Sequence, residues 1–172
     1  RSAGGTGRRR SAPAGGGRNA FHLPTHRPGR PTHGWSSHLT DGCPGCGGFV
    51  DITAHAKKIV FSGWFEAGAG GSLAEGGLTV TTPGKFCKMV EKVEHVTFSG
   101  NRARTQGQEV LYVTERCVIR STDTGLIATE IMPGIDPARD IIGASQGRVT
   151  VAENATTMPL SLLAEGPMGW QP

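Results

Sequence analysis

The sequence predicts the strand-rich part of a larger α/β domain, preceded by a segment that does not fold by itself. From residue 51 onward, short β-branched and aromatic runs alternate with glycine and proline turn signals. Few stretches in this part have the signals of a helix. Residues 1–40 contain seven arginines, no acidic residue and only scattered apolar side chains, which cannot form a buried face.

Length and charge limit the class of protein. A chain of 172 residues is long enough for one domain with a core. The first 40 residues have a net charge of +7 and the remaining 132 a net charge of −3, so the overall charge of +4 comes from the front. No apolar run is long enough to span a bilayer, and no secretory signal is recognisable. We therefore expect a soluble, cytoplasmic protein with four reduced thiols.

Composition divides the chain into three parts. Residues 1–41 are rich in arginine, glycine and proline, and we expect them to be disordered and either translated out of frame or unrelated to the rest of the chain. Residues 42–158 form a partial domain. Residues 159–172 are a tail whose order the sequence does not predict.

The predicted elements succeed one another closely from residue 45. Gly45-Cys46-Gly47-Gly48 leads into an apolar run that we predict to enter a buried strand. Asp136 is placed to cap a short helix through residue 142, with Pro137 in its first turn. After Val151 the pattern fades. The predicted strands are 58–65, 78–82, 93–99, 109–114, 117–120 and 126–131, with a glycine-rich connection at 66–77 and turns at Pro83-Gly84, Gly107, 123–125 and Pro133-Gly134.

Cysteine and histidine offer a metal hypothesis. Cys43 and Cys46 form a CxxC motif, and four histidines precede it, at positions 22, 26, 33 and 38. The ligand types suit zinc, but the intervening sequence lacks a second ordered ligand pair, so we expect no metal site. A redox role is also disfavoured, because thioredoxin-type pairs open a helix and this motif is predicted to open a strand. Cys87 and Cys117 lie in apolar sequence and are expected in the core.

Carboxylates and lysines beside glycine are the other candidates for chemistry. Glu66, Glu75 and Glu153 could each act as a nucleophile toward an activated acyl group if nearby N–H donors stabilised the oxyanion. Nothing around them distinguishes one, and we expect each to be a solvated loop residue. Four lysines could hold phosphate but are expected to be solvated, namely Lys57, Lys58, Lys85 and Lys88.

Five blocks of sequence, in this order, resemble the C-terminal part of family I coenzyme A transferases, in particular the single-chain acetate or propionate type and the acyl-CoA:acetate/3-ketoacid type. They are Gly-Cys-Gly-Gly-Phe-Val-Asp-Ile-Thr (45–53), Lys-Lys-Ile-Val-Phe-Ser-Gly (57–63), Val-Glu-His-Val-Thr-Phe-Ser-Gly (93–100), Gln-Gly-Gln-Glu-Val-Leu-Tyr-Val-Thr-Glu-Arg-Cys-Val (106–118) and Thr-Glu-Ile-Met-Pro-Gly-Ile-Asp-Pro-Ala-Arg-Asp-Ile (129–141).

This resemblance implies a CoA-transferase α/β fold and transfer of CoA between an acyl-CoA and a short-chain carboxylic or 3-keto acid, as in ketone-body and short-chain fatty acid metabolism. A glutamate attacks the thioester to give a mixed anhydride, and the CoA thiolate then forms a glutamyl-CoA thioester. Gly47 and Gly48 correspond to the backbone that approaches the thioester and helps hold the oxyanion. The resemblance further implies a homo-oligomer, with CoA as substrate and no metal.

The family's nucleophilic glutamate lies in a Glu-x-Gly motif upstream of the block at 45–53, where this chain has its arginine-rich front. We therefore assign no catalytic residue in this chain and expect it to be inactive by itself. The alternative function is that of a non-enzymatic binding protein that uses Arg8-Arg9-Arg10 to bind nucleic acid or an acidic partner. Runs of charged residues are more often simply solvated than part of a binding site.

Overall fold

The computed structural model describes residues 48–90 and 96–163, together with the backbone of two short strands, 18–22 and 34–38. In chain order the elements are β1 (Arg18–His22), β2 (Gly34–His38), α1 (Phe49–His55), β3 (Lys58–Ser62), β4 (Glu66–Ala67), β5 (Gly70–Ala74), β6 (Gly77–Thr82), β7 (Phe86–Cys87), β8 (Met89–Val90), β9 (Phe98–Ser99), α2 (Gly100–Thr105), β10 (Glu109–Val113), β11 (Cys117–Thr122), β12 (Gly125–Ile131), α3 (Pro137–Gly143), β13 (Val149–Thr157) and a 3-10 turn (Leu160–Leu163).

A five-stranded mixed sheet, in the order β13-β12-β11-β10-β3, organises the domain. β10, β11 and β12 form an antiparallel meander, while β3 runs parallel to β10 and β13 parallel to β12. Gly125 turns β11 into β12 with a φ of 137° that disfavours other residues. The predicted strands at 58–65, 109–114, 117–120 and 126–131 are confirmed, and so is the pairing of the last two, although β3 ends at Ser62.

The core covers one face of this sheet. Burial alternates along β3, which buries Ile59 and Phe61 and exposes its other residues. The Phe61 ring stacks on Tyr112 at 5.2 Å between centroids and meets the edge of Phe98 at 5.3 Å. Phe49 of α1 packs 6.1 Å from the same ring. The start of α1 is therefore attached to the sheet through Phe61.

The short helix predicted after Pro133-Gly134 is confirmed as α3, which comes after a tight turn. The Asp136 carboxylate accepts hydrogen bonds from the N–H groups of Ala138 and Arg139 at 2.9 and 3.1 Å. The N–H of Ala144 donates to the carbonyl of Arg139, five residues back, so the helix has π-type bonds at its end. This wide last turn buries Ile141 against the core.

The prediction that the glycine stretch enters a strand is wrong, because Phe49–His55 is helical. Phe49 and Thr53 are one turn apart and face inward, and the Thr53 hydroxyl donates to the Phe49 carbonyl at 2.8 Å. The side-chain amide of Gln108 donates to the carbonyls of Thr53 and Ala56, which have no partner inside the helix. Tertiary packing thus overrides the strand preference of this apolar run.

Three further elements differ from the sequence prediction. The connection at 66–77 contains β5, which pairs with β6 as a hairpin. β13 continues through residue 157, beyond the point where the pattern fades. Only Phe98–Ser99 of the strand predicted at 93–99 is extended, and residues 91–95 lie outside the described part. The Ser99 hydroxyl then caps α2 by accepting from the N–H of Arg102 at 3.4 Å.

Ten residues of the front segment are strands in the structure, where disorder was expected. β1 pairs antiparallel with β2 and parallel with β8, and β2 pairs with β9, so backbone hydrogen bonding to the domain orders these two pieces. The rest of residues 1–47 lies outside the described part of the chain. The proposed boundaries at 41 and 158 stay predictions.

Candidate functional site

Gly48 is exposed and stands immediately before α1, with a φ of −78° and a ψ of 5°. Gly47 lies outside the described residues. A Cβ built on Gly48 would meet only Ile52 Cδ1, at 3.8 Å, which is an ordinary contact. The described surroundings therefore do not themselves require a glycine at this position. The Gly48 carbonyl accepts a hydrogen bond from the N–H of Ile52. The N–H groups at the start of a helix, in contrast, have no acceptor within that helix.

A shallow cavity of about 200 Å³ separates α1 from α2. Val50 and Ala54 of α1 line one side, and Val96 and Phe98 line the other. Gln108 also lines the cavity and is held by its hydrogen bonds to the end of α1. The exposed surface of the groove is mostly apolar and its described lining contains no carboxylate, so it offers no carboxylate nucleophile near Gly48.

Glu66 is the main correction among the candidate carboxylates, because it is buried rather than solvated. Glu66 Oε2 lies 2.7 Å from Arg116 Nη2 and also accepts from the N–H of Gly84 at 3.2 Å. An ionised pair with a backbone donor satisfies the carboxylate. The Glu66 carboxylate is therefore a structural group of the interior, bonded to Arg116 and to the Gly84 backbone. Glu75 in the β5–β6 turn and Glu153 on β13 are exposed, as expected of solvated residues, although Glu153 lies on a strand.

Arg116, which sequence reasoning did not single out, is 1% exposed and forms the centre of a buried polar cluster. Nη1 donates to the Asp140 carbonyl at 2.8 Å, and the guanidinium lies 5.0 Å from the centre of the Phe65 ring. Nε is 3.2 Å from Glu115 Oε1, although the angle is too poor for a hydrogen bond. The only signal in the sequence is a Glu-Arg pair between two apolar strands, and such a pair is usually solvated.

A second cavity of about 380 Å³ adjoins this cluster and is lined by Glu66, Arg116, Arg139 and Asp140. Hydrogen bonds from the Arg139 guanidinium to Asp140, at 2.8 and 2.9 Å, lower the pKa of this carboxyl from its ordinary 3.8. Each guanidinium of the lining is paired with a carboxylate of the lining, Arg116 with Glu66 and Arg139 with Asp140. The arrangement connects β4, the start of β11 and α3, and both lining carboxylates are engaged by an arginine.

The thiols and lysines are the remaining candidate groups. Cys117 is fully buried and burial raises its pKa to about 12. Cys87 is half-buried, donates to the carbonyls of Met89 and Ala144, and has a raised pKa for the same reason. Both are free thiols in or beside the core, as predicted. Lys88 differs from the prediction, because it is half-buried and burial lowers its pKa. The three other candidate lysines, Lys57, Lys58 and Lys85, are exposed.

No three metal-ligating side chains come together among the residues that the structure describes. The side chains of the CxxC motif and of the four histidines before it lie outside that part. The prediction that the motif opens a strand is wrong, because Phe49–His55 is helical, and the argument against a redox role that rested on this strand no longer applies. Arg8-Arg9-Arg10, the basis of the nucleic-acid alternative, also lies outside the described residues.

None of the described helices has the length and apolar content needed to cross a bilayer.

Comparison with known proteins gives a consistent relationship, although no family model matches the chain. Over 127 residues it is 38% identical to a caffeate CoA-transferase from Acetobacterium woodii and 35% identical to the acetate CoA-transferase YdiF of Escherichia coli O157:H7. These matches cover 74% and 73% of this chain but only 24% of each relative. The chain thus spans about a quarter of the length of the curated relatives it matches.

Solved structures agree with the sequence relationship. The crystal structure of the E. coli O157:H7 acyl-CoA transferase YdiF apoenzyme superposes with a TM-score of 0.72 at 32% identity, covering 78% of this chain and 26% of that one. The same protein as a thioester complex with CoA gives the same values. The expected α/β fold with a strand-rich open sheet is confirmed. Over the matched stretch, about three quarters of its length, this chain therefore belongs to the CoA-transferase family.

Proposed function

We propose that this chain forms part of an enzyme that transfers CoA between an acyl-CoA and a carboxylic acid. The observation that carries the proposal is the similarity to CoA-transferases over 127 residues. A stretch of that length in a chain of 172 residues always includes residues 46–127, and therefore Gly47 and Gly48. The backbone at Gly48 is exposed and no described side chain covers it, which is compatible with a role at a surface shared with further polypeptide.

The proposed reaction has two exchanges at a carboxylate. A glutamate from polypeptide outside this chain attacks the thioester carbon, the acyl group passes to the glutamate as a mixed anhydride, and CoA leaves as a thiolate. The thiolate then attacks the glutamyl carbonyl and releases the first carboxylate, leaving a glutamyl-CoA thioester. A second carboxylate reverses both steps. Each attack places negative charge on a carbonyl oxygen, which the N–H groups of Gly47 and Gly48 stabilise.

The acceptor is a carboxylic acid, and we propose a short-chain or 3-keto acid. The relatives differ in the acid that their names give, caffeate or acetate, so membership of the family does not by itself fix the acid. None of the three candidate glutamates is suited to act as the nucleophile. Glu66 is paired with Arg116, while Glu75 and Glu153 lie in solvent away from any described pocket.

We propose that the intact enzyme is a homo-oligomer. Its cytoplasmic location stays a prediction.

A hybrid enzyme tests this function. The stretch of this chain that matches the Acetobacterium woodii relative replaces the corresponding segment of that relative. CoA transfer from acetyl-CoA to propionate and to caffeate is then followed by mass spectrometry. We expect transfer by the hybrid, a glutamyl-CoA adduct on the relative's portion, and no transfer by this chain alone. A folded hybrid that transfers CoA to neither acid, beside an active parent enzyme, would contradict the proposal. So would an adduct on Glu66, Glu75 or Glu153.

A further inference from the structure

α1 depends on the rest of the domain for its position. It has seven residues, whereas an isolated helix shorter than about 12 residues is marginal in water. Gly48, which precedes it, provides no side-chain cap. Ala56, at the other end, is extended with a φ of −69° and a ψ of 136°, so the helix lacks the left-handed residue that commonly satisfies the last carbonyls. Contacts with other elements must therefore fix α1.

Gln108 binds the C-terminal end of α1 from the start of β10. Its side-chain nitrogen donates to the Thr53 carbonyl at 2.9 Å and to the Ala56 carbonyl at 2.5 Å, so one amide group satisfies two carbonyls. Because a carbonyl oxygen can only accept, a side chain without donors cannot replace these bonds. Gln108 is fixed in turn, since its backbone N–H donates to the Ala103 carbonyl of α2 at 2.8 Å.

The other end of α1 is fixed by Phe49, whose ring lies 6.1 Å from that of Phe61. Gly48 directly precedes Phe49, and its carbonyl accepts from the N–H of Ile52 at 3.0 Å, so the Gly48 backbone belongs to the hydrogen bonding of the helix. Phe49 in the first turn and Gln108 at the last turn together set the direction of the helix axis. The N–H groups at the start of a helix follow that direction.

We propose that Gln108 is a positioning residue for CoA transfer, because its two hydrogen bonds to α1 keep the Gly48 N–H in the direction that stabilises the oxyanion. The inference rests on the proposed function and adds a residue that acts through α1. A displacement of about 1 Å at the reacting groups can lower a rate about 100-fold, even when the substitution is remote from them. Loss of the Gln108 donors should therefore lower kcat and leave substrate binding nearly unchanged.

Substitutions at Gln108 and Gln106 form a matched set. Both glutamines line the groove between α1 and α2, and Gln106 is exposed. Gln108→Glu replaces the donors by oxygens that repel the two carbonyls, and Gln108→Met removes the donors without adding a charge. Gln106→Glu adds the same charge to the same groove and leaves the bonds of Gln108 intact. It is therefore the control.

Hydrogen exchange measured by NMR in the full chain tests the contribution of Gln108 to the position of α1. We expect the Ile52 amide, which donates to Gly48, to exchange at least about 10-fold faster in both Gln108 variants than in Gln106→Glu. The amides of β10 and β11 should keep their rates, which separates a loosened helix from a general loss of stability. Equal Ile52 rates in all three variants would overturn the proposal.

Kinetics of the hybrid enzyme test the effect on the reaction. We expect kcat for CoA transfer to fall at least about 10-fold in Gln108→Met and about 100-fold in Gln108→Glu, with KM for acetyl-CoA within about 2-fold of the parent hybrid. Gln106→Glu should keep the parent kcat. An unchanged kcat in both folded Gln108 variants, or a rise in KM alone, would overturn the proposal while leaving the proposed function intact.

A double variant tests whether Gln108 acts through Gly48. Gly48→Pro removes the N–H that Gln108 positions, so adding Gln108→Glu to it should lower kcat by less than about 3-fold. A further loss of about 100-fold in this background would overturn the positioning role, because the two effects would then be independent. An unchanged kcat in Gly48→Pro alone would instead contradict the proposed role of the glycine backbone, and the positioning role with it.

Discussion

Arg116 Nη2 lies 2.7 Å from Glu66 Oε2 in the interior of the domain, and the pair joins β4 to the start of β11 across 50 residues of sequence. A buried ion pair contributes little net stability by itself, but removing one partner leaves a charge without its counterion in a medium that solvates it poorly. The pair therefore fixes the position of β4 relative to the start of β11. It also accounts for why Glu66, although next to a glycine-rich loop, is unsuited to nucleophilic chemistry.

Replacement of Glu66 by Gln tests how much this ion pair contributes to stability. We expect the free energy of unfolding in urea to fall by about 3 kcal/mol, the low end for a broken buried pair because Glu115 remains beside Arg116. Glu75→Gln, in an exposed turn, is the control and should stay within about 0.5 kcal/mol. Combining Glu66→Gln with Arg116→Met should recover part of the loss. Equal losses in the free energy of unfolding for Glu66→Gln and Glu75→Gln would show that the Glu66–Arg116 pair does not stabilise the position of β4.

Gly77 and Gly76 provide a matched comparison at the turn of the β5–β6 hairpin. Gly77 has a φ of 124°, and a Cβ there would clash with the backbone of Pro133, whereas a Cβ on Gly76 meets nothing within 4 Å. Gly77→Ala should cost at least about 2 kcal/mol in the free energy of unfolding, from strain and from displacement of the hairpin. Gly76→Ala should be nearly neutral. Similar melting temperatures for the two variants would argue against this docking of the hairpin on Pro133.

The carboxyl of Asp140 predicts how stability depends on pH. Its pKa is lowered in the fold by hydrogen bonds from Arg139 and from the N–H of Asp136, so its contribution is fully present above the ordinary carboxyl pKa of 3.8 and is lost as pH falls through the lowered value. We expect Asp140→Asn to be less stable than the wild type at pH 7. The difference should shrink below about pH 4. A difference that is constant from pH 7 to pH 2, measured by thermal unfolding, would contradict the assignment.

Burial of Cys117 predicts its reactivity. With a pKa of about 12, only about one thiol in ten thousand is ionised at pH 8, and the side chain has no access to solvent. Iodoacetamide should therefore leave Cys117 unmodified in the native protein and modify it fully in urea, as read by peptide mass spectrometry. Cys87, half-buried with a raised pKa, should react at an intermediate rate. Rapid native modification of Cys117 would show that β11 opens readily.

The sequence predicted those elements whose signals are local. Asp136 and Pro137 mark the start of α3, and the turn at 123–125 pairs β11 with β12, because capping and turn chemistry act within a few residues. The start of α1 was mispredicted because its helical state depends on distant groups, namely the Phe61 ring and the Gln108 amide. β13 was missed because exposed polar residues in its bulge hide the alternation of a strand.

The candidate site was predictable only in part. The glycine stretch is visible in the sequence, and the resemblance of five ordered blocks to CoA-transferases is borne out by the comparisons. The role of Glu66 was not predictable, because its partner Arg116 is 50 residues away and nothing nearby marks either as buried. The reacting carboxylate cannot be assigned from this chain, since each of its candidate glutamates is either paired in the interior or exposed to solvent.

The most direct test of the central claim, that backbone amides at the glycine stretch stabilise the thioester oxyanion, compares two substitutions at Gly48 in the hybrid enzyme. Gly48→Pro removes the N–H while tolerating a φ of −78°, and Gly48→Ala keeps the N–H and adds a methyl group that makes only an ordinary contact with Ile52. We predict that kcat for CoA transfer falls about 100- to 1,000-fold in Gly48→Pro and changes little in Gly48→Ala. Equal kcat values for the two folded variants would contradict the claim.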